Sequence, residues 1–180
     1  ISGAVAYFNL QTLREGNQSI TYSHDVIVAL DELLSMAQDA ETGQRGFLLT
    51  NDERYLDPYE AALRAIPPKL DEIQQLTLDS PTQQARVAQL RMHVEAKLAE
   101  LKETIDVRRS QGLEPALAIV NSDRGKAEMD AIRSQLSAMA DEVERLRAQR
   151  LADMDSSQKT ALATSFLSGL LGILLTGAIA

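Results

Sequence analysis

Side chains able to do covalent or metal chemistry are few in this chain. Cysteine is absent and the only imidazoles are His24 and His93, which removes disulfides, thiolate nucleophiles and thiolate metal sites together. A carboxylate di-metal centre in a helical protein needs two Glu-x-x-His pairs, and the residues three before the histidines are Thr21 and Leu90. No metal is therefore expected at either. His93, beside Arg91 and Glu95, suits a partly exposed helix position, and His24 a polar stalk or interface position. Gly125-Lys126 ends like a phosphate-binding loop, but such a loop would have Gly in place of Val120 and Ser or Thr in place of Ala127. With two histidines on separate segments no Ser, His and Asp relay is suggested either. The chain is read as non-catalytic, with no cofactor and no metal.

One stretch is more specific. Asp39-Ala-Glu41-Thr42-Gly43-Gln-Arg45-Gly46-Phe47-Leu48-Leu49-Thr50 is followed by Tyr55-Leu56-Asp57-Pro58-Tyr59. On a helix Glu41 and Arg45 stand four apart in the favourable order, and Gly43 and Gly46 three apart. Two helical glycines cost about 1 kcal/mol each against Ala, which the close approach of another backbone or side chain would compensate. The competing reading is an ordinary solvated ion pair worth under about 0.5 kcal/mol. Glu41 and Arg45 are expected to brace the tip of the domain rather than pair with each other in solvent.

The elements that hold this stretch follow from charge and apolar spacing. The 180 residues carry 18 basic and 26 acidic side chains, a net charge of -8, and the bases are interleaved with acids, so no basic face for nucleic acid exists. All charges fall between Arg14 and Lys159. The uncharged run 160–180 spans about 30 Å as a helix and reads as a transmembrane segment, with Gly169, Gly172 and Gly177 offering close helix contact. Residues 1–13 are uncharged but too short to span, and read as the end of a first transmembrane helix. Residues 14–159 form the polar domain between them.

Apolar spacing in that domain is helical throughout. The seams are Val26, Leu30, Leu33, Ala37, Ala40, Gln44 and Phe47; Leu56, Tyr59, Leu63, Ile66, Leu70 and Ile73; Val87, Leu90, Val94, Leu98, Leu101 and Ile105; and Met129, Ile132, Leu136, Met139, Val143 and Leu146. All five prolines lie between residues 58 and 115, which permits two long outer helices. Thr50 to Glu53 and Ser80 to Gln83 fit capping boxes, Gly112 is placed to end the third helix, Pro115 to open a short one, and Ser122 or Asp123 to cap the fourth. Pro67-Pro68 leaves the second seam in phase, so one kinked helix is expected there. The fold is expected to be all-α: an antiparallel, up-down-up-down four-helix bundle whose long first and fourth helices run into the membrane segments. A second stripe on helix one, with Leu10, Leu13, Ile20, Ile27 and Leu34, predicts a homodimer that associates through helices one and four.

The motif Glu41, Thr42, Gly43, Arg45, Gly46, Leu48, Leu49, Tyr55, Leu56, Pro58 and Tyr59 resembles the third CHASE family, extracellular sensory domains associated with histidine kinases and cyclases. Gly125-Lys126, Met129-Asp130, Ile132-Arg133 and residues 144–150 extend the resemblance. It implies an extracytoplasmic sensor between two transmembrane helices in the plasma or inner membrane, feeding an output such as a histidine kinase. The stimulus, a small molecule or a protein, and its binding residues are not implied. Two other readings share the topology, a chemotaxis-receptor ligand-binding domain and a membrane-anchored structural bundle without ligand.

Overall fold

A computed structural model describes the backbone of residues 2–177 and the side chains of residues 22–153 and of Lys159. Among the described residues there are five helices: α1 (Ser2–Thr50), α2 (Asp57–Leu76), α3 (Pro81–Gln111), α4 (Leu113–Val120) and α5 (Arg124–Gly177), with a 3-10 turn at Glu53–Leu56. There is no strand among the described residues. The chain divides into two units, Tyr22–Val143 and the pair Ile1–Thr21 with Glu144–Ala180.

Within residues 22–143 a single core cluster draws on α1, α2, α3 and α5. Phe47, Leu33, Ile66, Leu90, Ile105, Ile132 and Met139 are among its fully buried members, each burial worth about 1.5–3 kcal/mol. The cross-helix bonds give the helix directions. Tyr22 with Asp79 and Glu32 with Lys69 join α1 to the α2 side in opposite sequence order. Asp71 with Arg91 and Gln74 with Gln84 do the same for α2 and α3. Gln83 with the Met139 carbonyl, Gln89 with Gln135, and His93 with Glu128 do so for α3 and α5. The turn after α2 thus lies beside Tyr22.

The helix ends follow local chemistry, with one departure. Ser80 caps α3, its hydroxyl accepting the Gln83 amide at 3.4 Å, and Pro81 fills the first turn, where its missing N–H costs nothing. The Gln83 side chain does not close the box; it is buried and donates to the Met139 carbonyl instead. At the end of α1 the cap is Asp52 and not Thr50. The Asp52 carboxylate accepts the Arg54 amide at 3.0 Å, while the Thr50 hydroxyl donates back to the Gly46 carbonyl at 2.8 Å. Gly112 ends α3 at φ 95°, a conformation open to glycine. Pro67 and Pro68 lie inside one continuous α2, both exposed, and the residues whose carbonyls they leave without a helical donor, Leu63 and Arg64, are exposed as well.

Two seams are shifted. Leu63 is exposed and Ala62 buried in its place. At 100° per residue the two lie about 50° either side of the seam's centre, so periodicity alone could not choose. In α3 the buried series runs Val87, Leu90, Val94, Lys97, Leu101 and Thr104, in strict three-four alternation, with Leu98 only partly buried. Among the described residues no helix is long and apolar enough to cross a membrane. The two expected membrane runs, 1–13 and 160–180, lie outside the residues whose side chains are described.

Candidate functional site

Because the α3 seam passes through Lys97 and Thr104, it carries polar groups into the interior. The Lys97 ammonium, 4% exposed, lies 3.0 Å from the Glu100 carboxylate, also 4% exposed, and 3.3 Å from Glu41 on α1. The Thr104 hydroxyl stands 3.1 Å from Glu100 Oε1 and 2.8 Å from the Glu100 carbonyl. Taking such charges out of water costs several kcal/mol per ion, and only close mutual pairing with further hydrogen bonds offsets it. Glu100 has one more neighbour. Gly125, in the first turn of α5, approaches so closely that a Cβ there would lie 2.6 Å from the Glu100 carboxyl carbon. The buried carboxylate therefore sits at the start of α5, where the helix dipole favours negative charge.

A cleft of about 330 Å³ opens above this cluster, walled by α1, α3, the end of α4 with the turn after it, and the first turns of α5. α1, α3 and α5 each set an acid beside a base about one helical turn away. On α1, Arg45 pairs with Glu41 at 3.0 Å. On α5, Lys126 and Arg133 both reach Asp130, at 2.6 Å and 3.1 Å. Their hydrogen bonds hold the Asp130 carboxyl below its ordinary range, and Asp130 in turn raises Lys126. Val120 adds exposed apolar surface, and Met129 of the core also lines the cleft. Further along, His93 Nδ1 lies 2.8 Å from a Glu128 carboxylate oxygen, between α3 and α5.

The tip beyond the cleft is built from the sequence motif. A Cβ on Gly43 would lie 2.7 Å from the Tyr55 carbonyl oxygen and 3.4 Å from Pro58 Cδ and the Tyr59 amide nitrogen; one on Gly46 would lie 2.5 Å from Tyr55 Cδ1. The two glycines thus let the 3-10 turn and the start of α2 lie against α1, the close approach their spacing predicted. Tyr59 is buried, which pushes its phenol up, and Tyr55 is half exposed. Arg109 clamps the end, bonding Glu53 at 2.9 Å and 2.6 Å with its guanidinium 5.5 Å from the centre of the Phe47 ring. That bond holds the Glu53 carboxyl below its ordinary range, as Arg54 does for Asp52.

The other sequence-predicted residues fall out differently. Thr42 is exposed and its hydroxyl donates to the Gln38 carbonyl. Arg45 does not brace the tip: it is 68% exposed and pairs with Glu41, because its position on α1 turns outward while Glu41 turns toward α3. Glu41 takes the interior role alone. Ile27 and Leu34 are partly buried and pack on the core, while Leu13 and Ile20 lie outside the described side chains. Lys97, Glu100 and Thr104 were missed, although continuing the three-four alternation from Val87, Leu90 and Val94 leads to Lys97. Among the described residues no group of three His, Cys, Asp or Glu is set to hold a metal.

Comparison with known proteins agrees with this architecture. No curated protein matches the chain. Among solved structures it is similar to the crystal structure of the Rhodopseudomonas palustris histidine kinase HK9 sensor domain, with a TM-score of 0.65 and 28% identity, over 70% of this chain and 98% of that one. The CHASE3 domain profile matches residues 16–153. The motif at Glu41 to Tyr59, the helical core around it and that match agree: the chain belongs to the CHASE3 family of sensor domains.

Proposed function

We propose that residues 14–159 are the extracytoplasmic input domain of a membrane receptor, foremost a sensor histidine kinase, folded as an up-down-up-down four-helix bundle. Residues 1–13 and 160–180 would be membrane helices, and two copies would associate along α1. The likeness to the HK9 sensor domain, nearly whole, carries this reading. Support comes from the uncharged runs at both ends of the sequence and from the helix order of residues 22–143. The domain itself performs no catalysis and alters the state of what lies across the membrane.

The absence of cysteine gives a clean test of placement. A single cysteine at exposed Gln111, in the protein expressed in intact cells, should react with a membrane-impermeant maleimide. Labelling only after the cells are permeabilised would place the domain on the cytoplasmic side and end this reading.

A further inference from the structure

The cleft above Lys97 is suited to a ligand of one chemical class. Glu41 and Arg45 on α1, Lys97 and Glu100 on α3, and Asp130 with Lys126 on α5 place opposite charges side by side on all three helices. A ligand with a single charge would meet only one side of these pairs, although Glu41 keeps Lys97 and Asp130 keeps Arg133 when Arg45 and Lys126 turn away. One carrying both charges exchanges pair for pair, since exposed ion pairs are individually weak and rearrange readily. Three observations show where each part of such a ligand would go. Arg45 and Lys126 are each 68% exposed at the mouth, so both can swing to a carboxylate. Glu41 and Asp123 line the same cleft and can receive an ammonium. Val120, which is exposed, supplies an apolar wall, with the buried Met129 also lining the cleft.

We propose that this cleft binds a free α-amino acid with an apolar side chain. Its carboxylate meets Arg45 and Lys126, its ammonium meets Glu41 and Asp123, and its side chain lies against Val120. The volume, about 330 Å³, lies in the range of small-molecule sites. The first turn of α5 forms one wall and Glu41 of α1 another, so an occupied cleft ties the two helices together. Its signalling meaning rests on the sensory reading, whereas the binding does not and can be measured on the chain alone.

The experiment is calorimetric titration of the 180-residue chain with leucine, isoleucine, valine and methionine, each beside its amide and its N-acetyl acid. At least one parent amino acid should bind saturably with a Kd at or below about 1 mM, and its amide and N-acetyl forms should each bind at least about tenfold more weakly. Arg45→Gln and Asp123→Asn, both at exposed positions, should each weaken binding by about tenfold while the melting midpoint stays put. Silence from all four amino acids, equal binding of a singly charged form, or unchanged affinity in both variants overturns the assignment. If binding fails while Gln111→Cys labels in intact cells, the ligand class is wrong and the sensory placement stands; if binding holds while that labelling fails, the reverse is true.

Discussion

Lys97 and Glu100 are paired at 3.0 Å, each 4% exposed, three residues apart on one helix. Glu41 reaches the same ammonium from α1, so one base holds two acids in the interior. Removing it should be costly. Lys97→Ala leaves the buried Glu100 carboxylate without a cation and Glu41 with Arg45 alone, and should destabilise the domain by about 3–5 kcal/mol. Arg45→Ala deletes an exposed partner and should cost under about 1 kcal/mol. Urea unfolding of both variants decides the matter; an Arg45→Ala loss as large as that of Lys97→Ala would mean the interior role is misassigned.

The glycines of the motif should respond unequally to alanine. At Gly43 the new methyl would meet the Tyr55 carbonyl oxygen and the Tyr59 amide nitrogen, both backbone, which cannot turn aside. At Gly46 it would meet the Tyr55 ring, which is half exposed and can rotate outward. Alanine also gains about 1 kcal/mol of helix propensity at either site. Gly43→Ala should therefore destabilise by about 1–3 kcal/mol net, and Gly46→Ala should be near neutral. Equal losses in the two melting curves would contradict this account.

What the sequence disclosed follows the same logic. The helices were legible because most seam positions are apolar, and the glycine motif because glycine within a helix is costly enough to need a reason. Lys97 was hidden by Leu98, an apolar neighbour that keeps a 3.6-residue step and diverts the seam by one position. The cleft was less legible still, since its walls come from α1, α3, the end of α4 and α5, and an acid beside a base one turn away looks on any one helix like ordinary surface charge. The close approach of Gly125 to Glu100 and the Arg124–Glu103 ion pair tie the start of α5 to α3.

Acid should loosen the tip. The Arg109 hydrogen bond lowers the Glu53 pKa below its ordinary 4.5, so the pair's contribution is present above that value and is lost as pH falls through the folded pKa. Asp52 and Asp130 are lowered as well, from 3.8, by Arg54 and by Lys126, and add to the same slope. Melting midpoints taken between about pH 6 and about pH 3 should fall, and Glu53→Gln should fall less across that window while starting slightly lower. A variant curve parallel to the parent would show that the Glu53–Arg109 bond contributes nothing to stability.

Association of two copies is testable with single cysteines. Leu13, Ile20, Ile27 and Leu34 recur at seven-residue intervals on α1, and Ile27 and Leu34 pack on the core while remaining partly exposed. Cysteines placed singly at Leu13, Ile20 and Ile27 should crosslink between subunits in membranes. Absence of crosslinks at all three positions in a folded protein would remove the α1 interface.

The route by which a stimulus would leave the domain is the most demanding expectation. α5 is an unbroken helix from Arg124 to Gly177, and no proline occurs from residue 116 onward. A shift imposed on its first turns, at the cleft, would meet no proline hinge on its way along the helix. Under the sensory reading the signal is a small axial or rotational displacement between two states whose gap the stimulus biases by a few kcal/mol. Four residues inserted after Arg150 turn everything beyond by about 40° and lengthen the helix by about 6 Å, whereas seven turn it by about 20° in the other sense. The four-residue insertion should therefore lock or bias the output of the intact receptor, and the seven-residue insertion should restore more of its response. Autophosphorylation with and without stimulus reads the result; full regulation in both variants would exclude α5 as the conduit and leave α1, or the assembly of two copies, to carry the signal.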